Sequence, residues 1–273
     1  MKKILISGGT SYLGQNLINY LAKNNKVTAL VRDKNRFSII DKNIQFQIIK
    51  IDKDLNNKLK ENEYDIYINL ISNNNKIRSF VALIESIKSN IFFNRKVLSL
   101  LIRSNTKKII QINSYWQLLK GIDSRKYSLY VFGKNYISKY LDMNKGRFSY
   151  ELYNFYLGDI YGKQDFRKKL IPELLKNKNL VIKNERSLFF PDHVDDIALS
   201  IEKCINQDLK EGKYITFNEC FYVKDISDIV TKLNSLKNSY EKLNVEKFLN
   251  LDFVEVAIEN KQSIFEKIKD IDC

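Results

Sequence analysis

The chain has 273 residues, 44% of them hydrophobic, and a formal net charge of +14. That length suits one large domain or a core with a smaller lobe, and that composition can bury a real core. No transmembrane helix, secretory signal, disulfide framework or zinc site is expected. No run of about 18 apolar residues exists, Ile4-Leu5-Ile6 gives way at once to Ser7-Gly8-Gly9, and His193 and three scattered cysteines hold no metal-ligand spacing.

The expected location is therefore the cytoplasm. The positive charge would suit a nucleic acid, but the lysines are dispersed and no aromatic residues interleave with them in a stacking pattern. A solvated basic surface that attracts a diphosphate-bearing small molecule fits better, with neither nucleic acid nor membrane as partner.

In chain order, strands are expected at Lys3–Ile6, Val27–Val31, Phe46–Ile51, Ile66–Ile71, Lys108–Ile112 and Leu152–Leu157. They are short and mostly apolar on both faces, as in a parallel sheet covered on two sides. Helices are expected at Tyr12–Asn24, Ser79–Arg103 and Ser124–Met143. This alternation predicts an α/β fold with a doubly wound, Rossmann-type parallel sheet. Further on, the pattern predicts a helix at Phe166–Asn177, a strand at Leu180–Lys183, a helix opening at Asp195, a strand at Tyr214–Phe217 and a helix at Val223–Leu236. Residues 1–165 are read as the dinucleotide-binding core, to which later segments return, and 166–273 mainly as a small substrate lobe. The charged tail after Asn244 has no clear pattern.

The first strand runs into Ser7-Gly8-Gly9-Thr10-Ser11-Tyr12-Leu13-Gly14 and then a helix. Gly8 permits a turn that a side chain would forbid, and Gly14 lets the helix pack closely on the sheet. The helix start offers free N–H groups and positive potential to a pyrophosphate. Gly8, Thr10, Ser11, Tyr12, Leu13 and Gly14 are thus candidate cofactor residues, with Ser11 standing where the pattern has a third glycine. At the end of the second strand, Arg32 suits the 2′-phosphate of NADP better than NAD, which wants an acid there; Asp33 is adjacent.

Tyr130 and Lys134 lie four apart on the third helix and share a face. A cationic lysine should lower the phenol pKa and ready it for proton exchange with a carbonyl oxygen during hydride transfer. Ser114 ends the fifth strand at the carboxyl edge of the sheet, where ligands bind. Its hydroxyl is placed to hold the substrate oxygen.

These ordered motifs resemble the extended short-chain dehydrogenase/reductase group, the NAD-dependent epimerase/dehydratase family, over roughly residues 1–235. Residues 7–14 look like TGGTGFIG, 65–70 like DxVIHLA, 160–165 like VYGPGD and 194–197 like VDDV. The resemblance implies that Asp52 contacts adenine and that Leu70 and Asn90 serve the cofactor. It implies a catalytic set of Ser114, Tyr130 and Lys134, with Ser72 and Lys169 toward the substrate.

The segment Tyr161–Pro172 and the 16-residue gap from Ser114 to Tyr130 are similar to sugar-nucleotide 4-ketoreductases. The implied activity is NADPH-dependent reduction of a nucleotide-activated 4-keto-6-deoxy sugar for surface-polysaccharide precursors. An epimerase retaining NAD and a non-catalytic dinucleotide sensor are the alternatives. Tyr115-Trp116 stands where a 4,6-dehydratase would carry Asp-Glu, which argues against dehydration. Phe189 and Phe190 replace the family's usual arginine, and His193 reads as structural. Two long helices on one sheet face are placed to pair into a homodimer.

Overall fold

Strands apolar on both faces need cover on both, and here they have it. The computed structural model describes residues 1–73, 79–104, 106–120, 128–177, 180–231, 243–249, 251, 254–257 and 263–272. Its main sheet contains β1 (Lys3–Ser7), β2 (Lys26–Val31), β3 (Gln47–Lys50), β4 (Ile66–Asn69), β5 (Lys108–Ser114), β6 (Glu151–Leu157), β10 (Gly212–Ile215) and β12 (Val254–Val256). The spatial order is β12-β10-β6-β5-β4-β1-β2-β3, and every pairing is parallel. The order reverses beside β1, which opens a crevice at the carboxyl ends of β1 and β4.

Alternate residues of each strand feed two cores. Ile4, Ile6, Ile110 and Ile112 face α1 (Tyr12–Leu21) and α7 (Val194–Ile205). Leu5, Tyr67 and Ile109 face α2 (Leu55–Glu61), α4 (Asn94–Arg103) and α5 (Ser128–Lys145). The expected doubly wound α/β sheet is therefore present.

One row of this sheet is polar. Ser7, Asn69, Gln111 and Asn154 are successive register partners across four strands, and all are buried. Asn69 donates to Gln111 (2.6 Å) and to Asn94 of α4 (2.8 Å). Tyr67 and Ser7 close the row at one end; Asn113 donates to Asn154 at the other (3.0 Å). Each amide thereby avoids the roughly 1–3 kcal/mol that an unmet buried polar group costs.

Several elements differ from the sequence pattern. The helix expected over Ser79–Arg103 is three pieces: α3 (Phe80–Ile87), a π-helical segment (Lys88–Phe93) and α4. The apolar periodicity continues through the wide turn, so spacing alone does not reveal it. The helix expected from Phe166 begins only at Leu170, as α6 (Leu170–Lys176). Arg167 is instead drawn onto Asp165 and the carbonyl of Ile160. Leu180–Lys183 forms no strand, because no neighbouring strand pairs with it. α7 opens at Val194, capped by His193, whose Nδ1 accepts the Asp195 N–H at 3.3 Å. Residues 124–127 and 232–236, parts of two expected helices, lie outside the described residues.

Beyond the sheet, α6, α8 (Val223–Thr231), α9 (Ile264–Asp272) and the paired β8 (Leu188–Phe189) and β11 (Phe221–Tyr222) enclose a second core. It includes Tyr161, Ile171, Leu174, Ile229 and Ile268. The tail that lacks a sequence pattern thus contributes α9, tied down where Lys267 meets Asp196 and where Glu219 accepts the Ile264 N–H. No helix among the described residues is long and apolar enough to cross a membrane.

Candidate active site

The glycine turn is built as its spacing requires. Gly8 has φ +68°, and a Cβ on Gly14 would stand 2.4 Å from the Gly8 carbonyl oxygen. Only a bare α-carbon lets α1 start this close to the turn. The Ser11 hydroxyl accepts the Gly14 N–H at 3.0 Å and so caps α1. The remaining N–H groups of the first helical turn have no partner within the helix and carry its positive end.

Beside the turn lies a groove of about 200 Å³ lined by Ser7, Gly8, Thr10, Ser11, Arg32, Arg36, Leu70, Ser72 and Phe93, among others. A second hollow of about 520 Å³ shares Arg32, Arg36, Ser72 and Phe93 with it and adds Glu85 and Lys88. A close backbone turn, a helix N-terminus and two guanidiniums in one crevice fit the charge and shape of a dinucleotide.

Other expected cofactor residues sit elsewhere. The Tyr12 side chain is buried: its hydroxyl donates to the Lys163 carbonyl (2.9 Å), and the Arg167 guanidinium lies 4.5 Å over its ring. It joins α1 to the 161–167 loop. Asp52 lines neither hollow; its carboxylate takes the Lys58 ammonium at 2.6 Å and the Asp54 N–H at 3.0 Å. Asn90, in the π-helical segment, accepts the Asn73 N–H (2.6 Å) and donates to the Asn73 carbonyl (2.9 Å). It fixes the segment after β4 that carries Ser72.

Ser72, Ser114 and Tyr130 do come together. Both serine side chains reach the Tyr130 phenol closely enough to favour its charged form. Ser114 is fixed by a capping box: its N–H donates to Gln117 (3.0 Å), and Gln117 donates to Asn135 of α5 (2.9 Å). Trp116 stands edge-on to the Tyr130 ring at 5.7 Å. Lys134 is buried on the same helix and donates to the Ile112 carbonyl at 2.5 Å, with its ammonium 6.0 Å from the Tyr130 ring centre.

The electrostatics correct one expectation. Tyr130 is raised above the ordinary phenol range, because burial outweighs its two serine partners. Lys134 exerts no lowering here; burial pulls its own pKa down to about 8. The phenol therefore rests protonated, as a proton donor must.

Tyr130 and Ser114 open onto a cavity of about 710 Å³ between the sheet edge and the second core. Lys169 lines it, as the sequence suggests. Asp159, Trp116 and Arg167 line it too, and sequence reasoning missed all three. Asp159 is pushed up to about 6, chiefly by burial, against the Phe190 N–H, the Tyr115 side chain and the Lys169 charge. Its place two residues past the end of β6, opening the short β7 (Asp159–Tyr161) at the carboxyl edge of the sheet, was the signal that could have flagged it.

The family model described as NAD dependent epimerase/dehydratase matches residues 4–188. The chain is 22% identical over 249 residues to CDP-abequose synthase of Salmonella muenchen, covering 85% of this chain and 80% of that protein. Among solved structures, the Bordetella bronchiseptica enzyme WbmF in complex with NADH aligns with a TM-score of 0.77 at 14% identity, over 99% of this chain and 90% of that one. UDP-glucose 4-epimerase of Thermus thermophilus, in complex with NAD, aligns with a TM-score of 0.73 at 13% identity, over 99% and 97%. At such identities these structures show a shared fold.

Proposed function

The chain belongs to the NAD-dependent epimerase/dehydratase family, and on that premise we propose that it reduces the keto group of a nucleotide-activated 4-keto-6-deoxy sugar with NADPH. The observation that carries this reading is the Ser72–Tyr130–Ser114 cluster, in which Tyr130 and Ser114 line the 710 Å³ cavity and Ser72 lines the groove beside the glycine turn. The similarity to CDP-abequose synthase, and to solved structures in complex with NAD, with NADH, or with UDP-glucuronic acid and NAD, supports the substrate and cofactor class. The product would feed surface-polysaccharide synthesis.

Gly8, Thr10, Ser11, the first-turn N–H groups of Tyr12 and Leu13, and Arg32 would hold the dinucleotide, with Leu70 against it. When bound, the reduced nicotinamide supplies a hydride. The protein's own part is the proton: Tyr130 gives its phenolic proton to the oxygen of the former C=O, which becomes a hydroxyl. Ser114 and Ser72 hold that oxygen against the phenol and favour the phenolate left behind, while Lys134 would hold the nicotinamide ribose. Lys169 receives the substrate diphosphate, and residues 166–273 mainly supply sugar selectivity.

Tyr115, the first residue in the slot of a dehydratase acid pair, is buried against Phe190 and Phe217, which disfavours elimination. Phe80, Val81, Phe92 and Phe132 are exposed on the helices of one sheet face and would be covered in a homodimer. The test is oxidation of NADPH, then NADH, with CDP-, dTDP- and GDP-4-keto-6-deoxy sugars, wild type beside Tyr130→Phe. Turnover lost in the variant is the expected result. Isomerised sugar with no net loss of reduced cofactor would instead mark an epimerase.

A further inference from the structure

The 2′-phosphate end of the groove carries more than Arg32. Arg36 lines both hollows that Arg32 lines, and among the described residues neither guanidinium forms an ion pair. The acid that would favour a bare ribose has been taken out of play. The Asp33 carboxylate accepts the Asn35 N–H at 3.0 Å, caps the short 3₁₀ turn Lys34–Arg36 and lines neither hollow. Among the described residues Glu85 is the single acid on these walls, and Lys88 stands in the same hollow.

The loop carrying Arg36 is also tied to the phosphate turn. Gln15 on α1 is fully buried. Its amide nitrogen donates to the Thr10 carbonyl (3.1 Å), while its oxygen accepts the N–H groups of Ser38 (2.7 Å) and Ile39 (2.9 Å). Asn19, one helical turn on, adds bonds to the Ile39 carbonyl (2.7 Å) and the Asp41 N–H (2.9 Å). Phe37 packs edge-on against Phe46 at 5.2 Å. A single side chain thus spans from the diphosphate seat to the residue two positions past Arg36.

We propose that Arg32 and Arg36 form a two-guanidinium clamp for the 2′-phosphate of NADP, and that Gln15 is the positioning residue that sets the clamp's distance from the phosphate turn. Two planar forks on one phosphate give directed, charge-assisted bonds that the 2′-hydroxyl of NAD has no anion to meet. The clamp rests on the dinucleotide reading and sharpens its choice of cofactor.

The experiment is calorimetric titration of the full chain with NADPH, NADH and 2′,5′-ADP. Wild type should prefer NADPH and bind 2′,5′-ADP. Arg36→Ala, at an exposed position, should weaken NADPH and 2′,5′-ADP roughly 10- to 100-fold, the worth of charged hydrogen bonds, and leave NADH within about twofold. Gln15→Glu keeps the acceptor for Ser38 and Ile39 but cannot donate to Thr10. It should lower the NADPH-to-NADH affinity ratio several-fold, a ratio that general loosening of the fold would not move.

A wild type that prefers NADPH with an Arg36→Ala ratio unchanged would overturn the clamp and leave the NADP reading standing. Equal weakening of both dinucleotides would overturn it likewise. A wild type that prefers NADH would remove both.

Discussion

The two halves of the candidate site are built by different means. The dinucleotide groove rests on backbone: a glycine turn, a helix start and four strand ends in parallel register, with a buried polar row beneath. The substrate cavity rests on side chains from scattered short elements: Trp116, Asp159, Lys169 and the loops around β8. A backbone-built site tolerates no change of shape at a few points. A side-chain-built site can change its ligand while its frame stays the same.

Tyr130→Phe should separate the halves most sharply. Turnover should fall about 10²- to 10⁴-fold, the usual worth of a positioned proton donor, while dinucleotide affinity by calorimetry stays within about twofold. Loss of both together would mean that the halves are not independent. Gly14→Ala is the converse. Its methyl group would meet the Gly8 carbonyl, so denaturant unfolding should show about 1–3 kcal/mol of lost stability, and dinucleotide binding should vanish in whatever folds.

Much of the first half was legible in the sequence, because a strand, a glycine turn and an amphipathic helix leave a fixed spacing. Tyr130 and Lys134 were legible for the same reason, one helical turn apart. The second half was not. β8, β9 (Pro191–His193) and β11 are two or three residues long, too short to show alternation. Leu180–Lys183 has strand-like residues and no strand to pair with. Arg36 sits on a short 3₁₀ turn where no periodicity marks it. The direction of the Tyr130 shift depends on burial, which the Tyr–Lys spacing does not encode.

Lys134→Met sharpens the contrast between function and stability at one position. The folded-state pKa of Lys134 is lowered to about 8 from an ordinary value near 10.5. The folded protein therefore holds its proton less tightly than the unfolded chain. This penalty is full below about pH 8 and fades as pH rises toward 10.5. The Met variant should be more stable than wild type at pH 7 by about 1–3 kcal/mol, less so at pH 10, and inactive. A Met variant less stable at pH 7 would show that the Lys134 bond to Ile112 outweighs desolvation.

Asp159→Asn gives the smallest effect. With a folded pKa raised to about 6, Asp159 favours the fold below about pH 4, and that contribution is lost as pH rises through 6. Wild-type stability relative to the variant should drop across that window by about 1–2 kcal/mol, allowing for partial exposure. Parallel stability curves would place the carboxyl in ordinary solvent, and the cavity with it.

The polar row across the sheet bears on a hazard peculiar to this composition. β1, β4 and β5 read KILIS, IYIN and KIIQINS, strands whose apolar residues are nearly interchangeable. Slipping one strand by a single residue turns its side chains to the opposite face, yet isoleucine replacing isoleucine would scarcely register the error. Ser7, Asn69, Gln111 and Asn154 give each strand an address. A mispaired neighbour would leave an amide facing hydrocarbon, so the correct alignment is recognised by what it fails to strand.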